Sequence, residues 1–538
     1  MINQKYGVVY TPDTLADFVA ALLHRFSDIE PGSGALILDP ASGECSLLKA
    51  VKKYFGDMHQ YAGIDIDIEA AGRTRSEFTI IHNDAILPKN VKKNPGSYWR
   101  KKLHQVDAII ANPPWSSEKV YERQKLSQAG YSLTAGQYDS YVLFIELAYK
   151  ILRDQGTMAF ILPDSLFDAQ NENLRRFLAE NMQIKVIARL GEKIFDEVNR
   201  AATVIICRKE MPNDESMTEC FRLSTDDRKA YLAGRGTLSL FYEKKVHTVR
   251  QSRFSKNLSY HFDIDTHESE EVLIEKIASN TIDWEKEFTF GRGVEISKSG
   301  QVVYCPYCGM AQGYSKKHFL AGHKECIYCG QEIPVNESTT ENVIMSKKEA
   351  GSVPIYVGEN IQRYSIKGRC YIKTGIEGIN YKTPKLYNPP KLLIRKTGLG
   401  IYGAVDYSRT CTSQTVYILR RLNEEVPLEY YLALINSRIV YYYYLKVYGE
   451  NEWKSHPYLT KKIIFTFPIR PYEGDETDKE IAELSKRLMR TYDRESDLQL
   501  ENLIMKKYGL NKKEQHLISA EINRLPDLSA INNMKVEA

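Results

Sequence analysis

The chain has 538 residues and a formal net charge of +4, with 43% apolar and 26% charged residues. That length exceeds one ordinary core and predicts about two to four domains, and the composition is that of a globular protein in water. No apolar run reaches the roughly 18–20 residues of a membrane span. The opening "MINQKYGVVYTPDTLADF" has neither the basic nor the apolar region of a secretion signal, so a cytoplasmic location is expected. So weak a positive charge does not demand a nucleic-acid partner. The local stretch "PKNVKKNPGSYWRKK" (88–102) reads equally as a basic surface or a solvated loop.

Residues 1 to about 210 alternate short apolar runs with helical patterns. "ALILDP" (35–40), "YAGIDID" (61–67), "FTIIHND" (78–84), "VDAIIANPP" (106–114), "GTMAFILPD" (156–164), "IKVIARL" (184–190) and "AATVIICRK" (201–209) read as buried strands. "SLLKAVKKYF" and "YVLFIELAYKIL" read as helices between them. This rhythm predicts a doubly wound α/β domain with a mostly parallel sheet. Residues 211–250 are polar and mixed and read as a connector. From 251 to 470 strands become short and glycines frequent, which suits a mixed α+β domain. Residues 471–538 are charged with helical periodicity, and Gly509 after "MKKY" is placed as a helix C-cap, so a terminal helical hairpin is expected.

In an open parallel sheet, ligands bind beyond the carboxyl ends of the strands. The first predicted strand ends at Asp39, followed by Gly43 in a turn; the second ends at Asp65 and Asp67, and the third at Asp84. Each acid alone reads as well as a helix N-cap or a solvated loop residue. Three on successive tips suit a cationic nucleoside cofactor. Asp39 would receive a positive group, Asp65 ribose hydroxyls and Asp84 an adenine amino group. The fourth tip is "NPPW", a rigid corner with a large aromatic, for which a core role is the alternative.

The order "YTPDTLADF", "LDPASGECSLL", "GIDID", "ND", "NPPW", "YDSYVLFIELAYKIL", "GTMAFILPDSLF", "LGEKIF" resembles the class I methyltransferase domain of DNA N6-adenine methyltransferases, and within them the gamma, TaqI-like group. The resemblance covers residues 6 to about 209 well and 280 to 470 more loosely. It implies transfer of a methyl group from S-adenosylmethionine to adenine N6 of a flipped-out base in double-stranded DNA. Bacterial restriction-modification, phage-defence or epigenetic systems, close to the nucleoid, are the setting it implies, with cleavage left to a separate partner.

The resemblance makes Asn112, Pro113, Pro114 and Trp115 catalytic. The Asn112 side-chain carbonyl and the Pro113 backbone carbonyl would accept the amino hydrogens, held still by two prolines. Trp115 would stack on one face of the base and Phe195 on the other, a core role being the alternative for each. Cofactor contacts are implied for Tyr10, Thr11, Asp39, Ala41, Gly43, Asp65, Asp84 and Asn112, with Phe144 and Glu146 on the helix beside the site. Cys45 stands where the family's turn has a second glycine, which puts the cofactor fit in doubt, because Cys prefers negative φ. Residues 116–138 are polar and are expected as a mobile loop over the substrate, or as an ordinary surface loop.

Nine cysteines include two pairs, Cys305/Cys308 and Cys326/Cys329, separated by seventeen residues. This is zinc-ribbon spacing over about 301–333, and four thiolates leave no open position, so a structural zinc is predicted. Gly309 and Gly330 follow the pairs; His318 and His323 are read as surface residues. Cys45, Cys207, Cys220, Cys370 and Cys411 are scattered, which argues against a disulfide framework. The flanks "VPIYVGENIQRY", "PKLLIRKTGLGIYGAVDYS" and "YYLALINSRIVYYYYLKVYG" resemble the TaqI-like target-recognition domain, which would put Arg395, Lys396 and Thr397 toward DNA. The ribbon would brace that domain or touch DNA, bracing being preferred. Other readings are a methyltransferase for RNA or for a protein glutamine amide, and an inactive DNA-recognition subunit.

Overall fold

The computed structural model describes residues 11–67, 77–91, 93–115, 121–135, 138–195, 200–297, 300–448, 459–525 and 532–536. The chain divides into two compact units, Met1–Glu271 with Lys446–Lys454, and Val272–Leu445 with Ser455–Ala538. Among the described residues no helix is long and apolar enough to cross a membrane.

The first unit is built on nine strands: β1 (Leu36–Asp39), β2 (Gln60–Asp65), β3 (Thr79–His82), β4 (Val106–Ala111), β5 (Leu152–Pro163), β6 (Gln183–Gly191), β7 (Ala202–Arg208), β8 (Met217–Arg222) and β9 (His247–Arg250). They lie in the order β3-β2-β1-β4-β5-β7-β6-β8-β9. The pairs from β3 to β5 are parallel, and β7 runs antiparallel between β5 and β6. The order reverses at β1/β4, the switch point where a doubly wound sheet opens a crevice.

Successive residues of a strand face opposite sides. Leu36 and Leu38 of β1 therefore join one core, and Ile37 joins the other. The second core is covered by α1 (Asp13–Phe26) and α2 (Ser46–Phe55). Helix α1 buries Leu15, Phe18, Val19, Leu22 and Leu23, the spacing of one helical stripe. The first core is covered by α3 (Pro95–Leu103), α4 (Arg123–Gln128), α5 (Tyr141–Ile151) and α6 (Glu172–Asn181). Residues 95–102 of the basic stretch lie in α3. Trp99 anchors it, fully buried with Nε1 donating to the Ala85 carbonyl at 2.8 Å, while Arg100, Lys101 and Lys102 are exposed.

Residues 211–250 are not a connector. β8 pairs with β6 and β9 with β8, so this stretch extends the sheet, and the unit runs on to Glu271. β9 is the edge strand and β8, next to it, mixes polar with apolar residues, which accounts for the polar texture of the stretch.

The second unit holds a four-stranded antiparallel sheet in the order Phe288–Arg292, Val416–Arg421, Lys391–Arg395, Gly403–Asp406. A second four-stranded sheet runs Ile344–Met345, Cys370–Lys373, Ser352–Tyr356, Cys411–Thr412. The expected hairpin is Glu476–Arg490 and Arg494–Lys507, followed by a third helix, Lys512–Asn523. Gly509 has φ +66° and ends the second helix as expected. These helices are not a separate domain. Arg363 and Arg438 each pair with both Asp497 and Glu501 in the interior, at 2.7–3.1 Å, joining helix Arg494–Lys507 to the rest of the unit.

Candidate functional site: a pocket at the strand tips

Thr11, Asp39, Asp65, Asp84 and Asn112, spread over a hundred residues of sequence, line one pocket at the carboxyl ends of β1 to β4. Ala41 and Gly43 belong to its floor. Tyr10 lies outside the described residues. Asp39 is buried and accepts the Ala41 N–H at 2.9 Å. Burial pushes its carboxyl up to about 8; the Ala41 bond works against this and the neighbouring Asp65 adds to it. Asp65 Oδ2 accepts the Gly43 N–H at 2.7 Å, so the second strand tip fixes the turn after the first. Its carboxyl is also raised, chiefly by burial. Asp84 is raised by burial as well, against bonds from Leu87, Ile86 and Tyr121. All three of those donors reach Oδ1, at 3.1, 2.8 and 3.0 Å, so Oδ2 is the oxygen left for a ligand donor. Three carboxyls whose ionisation burial opposes make a pocket that gains from a positively charged occupant.

The turn is tight in two places. A Cβ on Gly63 would come within 2.5 Å of Ser42 Oγ, so β2 needs glycine where it passes the turn. Cys45 adopts φ +63° just before α2, the left-handed geometry for which glycine was expected. Its side chain is fully buried against the α1/α2 core. Packing of the thiol offsets a backbone cost on the order of 1–2 kcal/mol, so the turn closes without the second glycine.

Beside the turn lies the corner. Asn112 Nδ2 donates to Thr11 Oγ1 at 3.0 Å, which fixes the direction of its carbonyl. Pro113 is buried. The Pro114 carbonyl accepts the Ser140 hydroxyl at 2.5 Å, and the Trp115 carbonyl accepts from Arg200. Trp115 and Phe195 meet, but not as two parallel walls. Their rings are 5.1 Å apart at 88°, edge to face, and only 4% and 2% exposed. The two apolar rings pack on each other and join the α1/α2 core.

Phe144 lines the pocket as expected, whereas Glu146 has another task. Its carboxylate accepts the N–H groups of Ser132 and Leu133 at 2.8–3.0 Å and pairs with Lys150 at 2.7 Å. It thereby clamps the stretch expected to be mobile. Leu126, Ala129 and Tyr131 of that stretch are buried, and Tyr131 donates to the Ile86 carbonyl at 3.0 Å. Residues 121–135 are thus an anchored cover, with Tyr121 in the pocket wall; 116–120 and 136–137 lie outside the described residues. Tyr121 and Ser140 were missed from sequence. No spacing marks Tyr121, and Ser140 reads as an ordinary helix cap.

In the second unit, Cys305, Cys308, Cys326 and Cys329 bring four sulfurs within 4.8 Å of one another. Cys305–Cys329 and Cys308–Cys326 are 3.7 and 3.8 Å apart. Tetrahedral zinc with Zn–S of about 2.3 Å requires S···S of about 3.8 Å, so the cluster fits that ion. Gly309 and Gly330 both have φ +73° and close matching turns onto the Cys305 and Cys326 carbonyls at 2.9 Å. His318 caps its own short helix and His323 is exposed, as expected of surface residues. All nine cysteines are unbridged. Val303 packs in the ribbon's core and its neighbour Val302 in the adjoining sheet's core. Ala311 N–H reaches the Glu377 carbonyl at 2.8 Å and the Tyr328 hydroxyl the Gly378 carbonyl at 2.7 Å. The cysteine segment is thereby tied to the adjoining sheet and to the loop at 377–378 of its own unit.

Arg395 ends the strand Lys391–Arg395, and Lys396 and Thr397 follow it. They are half-buried and engaged locally: Arg395 Nε donates to the Thr397 carbonyl at 2.6 Å, and burial lowers the Lys396 ammonium.

The family model described as N-6 DNA Methylase matches residues 2–284, more than half of the chain. The chain belongs to the N-6 DNA methylase family. A second model, the TaqI-like C-terminal specificity domain, matches 353–469. The type II methyltransferase M.VspI of Vibrio sp. (strain 343) is 31% identical over 222 residues, 40% of this chain and 52% of the relative. M.TthHB8I of Thermus thermophilus is 26% identical over 217 residues, 38% of this chain and 46% of the relative. The methylase thus spans about half the length of these curated relatives. Among solved structures, the ATP-dependent Type ISP restriction-modification enzyme LlaBIII bound to DNA aligns over 89% of this chain and 39% of its own, at 12% identity and a TM-score of 0.49. So loose a likeness adds nothing to the reading of the site.

Proposed function

We propose that this methylase modifies adenine N6 at specific sites in double-stranded DNA, using S-adenosylmethionine. The observation that carries the reading is the meeting of three strand-tip acids, Asp39, Asp65 and Asp84, with Asn112 and Pro114 of the Asn-Pro-Pro-Trp corner in one pocket. The acids fit the cofactor: Asp39 would receive its positive charge, Asp65 its ribose hydroxyls, and Asp84 Oδ2 its adenine amino group. When bound, that cofactor supplies an electrophilic methyl group on sulfur. The corner supplies the rest. An adenine amino nitrogen is a poor nucleophile because its lone pair is spread into the ring. Asn112 Oδ1 and the Pro113 carbonyl accept its two hydrogens and favour a more tetrahedral, more nucleophilic nitrogen. Trp115 and Phe195 part to hold the flipped base.

The TaqI-like specificity domain is the part that reads the DNA, with Arg395, Lys396 and Thr397 as candidate contacts. Cys305, Cys308, Cys326 and Cys329 hold a structural zinc. A bacterial restriction-modification, phage-defence or epigenetic system in the cytoplasm is the setting, with any DNA cleavage supplied by a separate subunit. Incubation with tritiated S-adenosylmethionine and unmethylated genomic DNA, followed by nucleoside mass spectrometry, tests the reaction. N6-methyldeoxyadenosine is expected from the wild type and none from Asn112→Ala. Label on cytosine, RNA or a glutamine side chain instead would replace this reading.

A further inference from the structure

Three carbonyls follow one another at the corner: Pro113, Pro114 and Trp115. A bound amino group needs one of them together with Asn112, and the wrong choice would displace the nitrogen. The structure treats the three differently. The Pro114 carbonyl accepts the Ser140 hydroxyl at 2.5 Å, and the Trp115 carbonyl accepts from Arg200. Among the described residues, no hydrogen bond goes to the Pro113 carbonyl.

Ser140 is built in for this contact. It immediately precedes α5, where a serine hydroxyl ordinarily caps the helix by accepting an N–H. Here it makes no capping bond and donates to Pro114 instead. It is only 7% exposed, so water does not readily take its place. Its neighbours on both sides are tied to one group: the Ser165 hydroxyl donates to Asp139 Oδ2 at 3.0 Å and lies 3.2 Å from the Tyr141 hydroxyl. Ser140 thus sits between two anchored residues and has little freedom to move away.

We propose that Ser140 is a positioning residue that sets the register of the corner. Its hydroxyl occupies the Pro114 carbonyl, holds that peptide's orientation and leaves the Pro113 carbonyl as the acceptor presented to the incoming amino group. The proposal rests on the adenine-N6 reading above. Ser140 itself contributes no proton and forms no bond to the substrate.

The test uses the full chain with unmethylated genomic DNA and tritiated S-adenosylmethionine, comparing the wild type, Ser140→Ala and Ser140→Thr. Single-turnover methylation should fall roughly 10- to 100-fold in Ser140→Ala, the scale of misplacing a reacting group by a fraction of an ångström. Cofactor affinity by calorimetry should stay within about twofold, because the cofactor is not what the hydroxyl holds. Ser140→Thr keeps the hydroxyl and should recover most of the rate. An unchanged rate in Ser140→Ala overturns the proposal. So does a loss confined to cofactor affinity, which would make Ser140 a cofactor ligand. A rate loss that follows melting temperature and is not recovered by Thr overturns it in favour of a packing role. An inactive wild type overturns the adenine-N6 reading and this proposal together, whereas an active wild type with an indifferent Ser140→Ala overturns this proposal alone.

Discussion

In the methylase unit the pocket draws on Asp39, Asp65, Asp84 and Asn112, one residue from each of four strand tips, and on Thr11 ahead of α1. In the second unit the four thiols come from one stretch, Cys305 to Cys329. The first site is positioned by the sheet. Its side chains carry the chemistry, while the two cores that hold the sheet are built from other residues. On the zinc reading the second would be positioned by its ligand, since a ribbon with so small a core of its own would depend on a metal to stay closed. A substitution in the first site should therefore strike function and spare stability, and one in the second should do the reverse.

The largest effect is expected from Asn112→Ala. Removing one of two acceptors should lower single-turnover methylation by about 10²–10³-fold or more, some 3–4 kcal/mol of barrier. The melting temperature should barely move, because Asn112 is half-buried and its neighbours Pro113 and Trp115 keep their packing. A large loss of stability would instead show the corner to be part of what holds the sheet.

Next is Cys308→Ser. Metal analysis should find about one zinc per chain in the wild type and much less in the variant. Because Val302 and Val303 serve two cores from one strand, the second unit should unfold several degrees lower, while the methylase unit keeps its cofactor affinity. Loss of cofactor binding together with the zinc would erase the contrast between the units.

Gly63→Ala sharpens it from the other side. A Cβ there meets Ser42 Oγ at 2.5 Å and Ser42 Cβ at 2.7 Å. The strain should cost about 1–3 kcal/mol and shift the turn that carries Gly43. Cofactor affinity should fall with stability, a coupling seen by calorimetry with and without cofactor.

The most gradual effect is a pH dependence. The Asp39 carboxyl rises from an ordinary 3.8 to about 8. Below that value it is neutral and offers no charge to a cation. Cofactor affinity should therefore strengthen as pH rises toward 8, by up to about tenfold per unit, and then level off. Binding below pH 8 should release a proton, visible in calorimetry across buffers of different ionisation enthalpy. The same shift has the opposite sign for the empty protein. Between pH 3.8 and about 8 the folded state holds a proton that the unfolded state has lost, so this group's contribution to stability falls as pH rises through that window. Asp39→Asn should abolish both slopes.

Much of the methylase unit was legible because the strand runs are short, apolar and evenly spaced, and because function sits at their ends. Asp39, Asp65, Asp84 and Asn112 all arrive where the pattern puts them. The four cysteines were legible because a metal site needs fixed local spacing. Residues 211–250 were not, since β8 and the edge strand β9 lack the continuous apolar signature of a buried strand. The cover at 121–135 was misread for a related reason: its anchors are isolated, Leu126, Ala129 and Tyr131, and the group that holds it, Glu146, belongs to another element. Ser140 was hidden because its partner is a backbone carbonyl, and no sequence records which carbonyl a hydroxyl will choose. The edge-to-face pairing of Trp115 with Phe195 was equally invisible, since the same two residues suit an open clamp and a closed one.

Expression in a host that lacks DNA methylation, with modified bases read across the genome, tests the central claim most directly. The wild type should leave N6-methyladenine at one short recognition motif, and Asn112→Ala should leave none. A wild type that binds S-adenosylmethionine yet leaves every adenine unmodified would contradict the account.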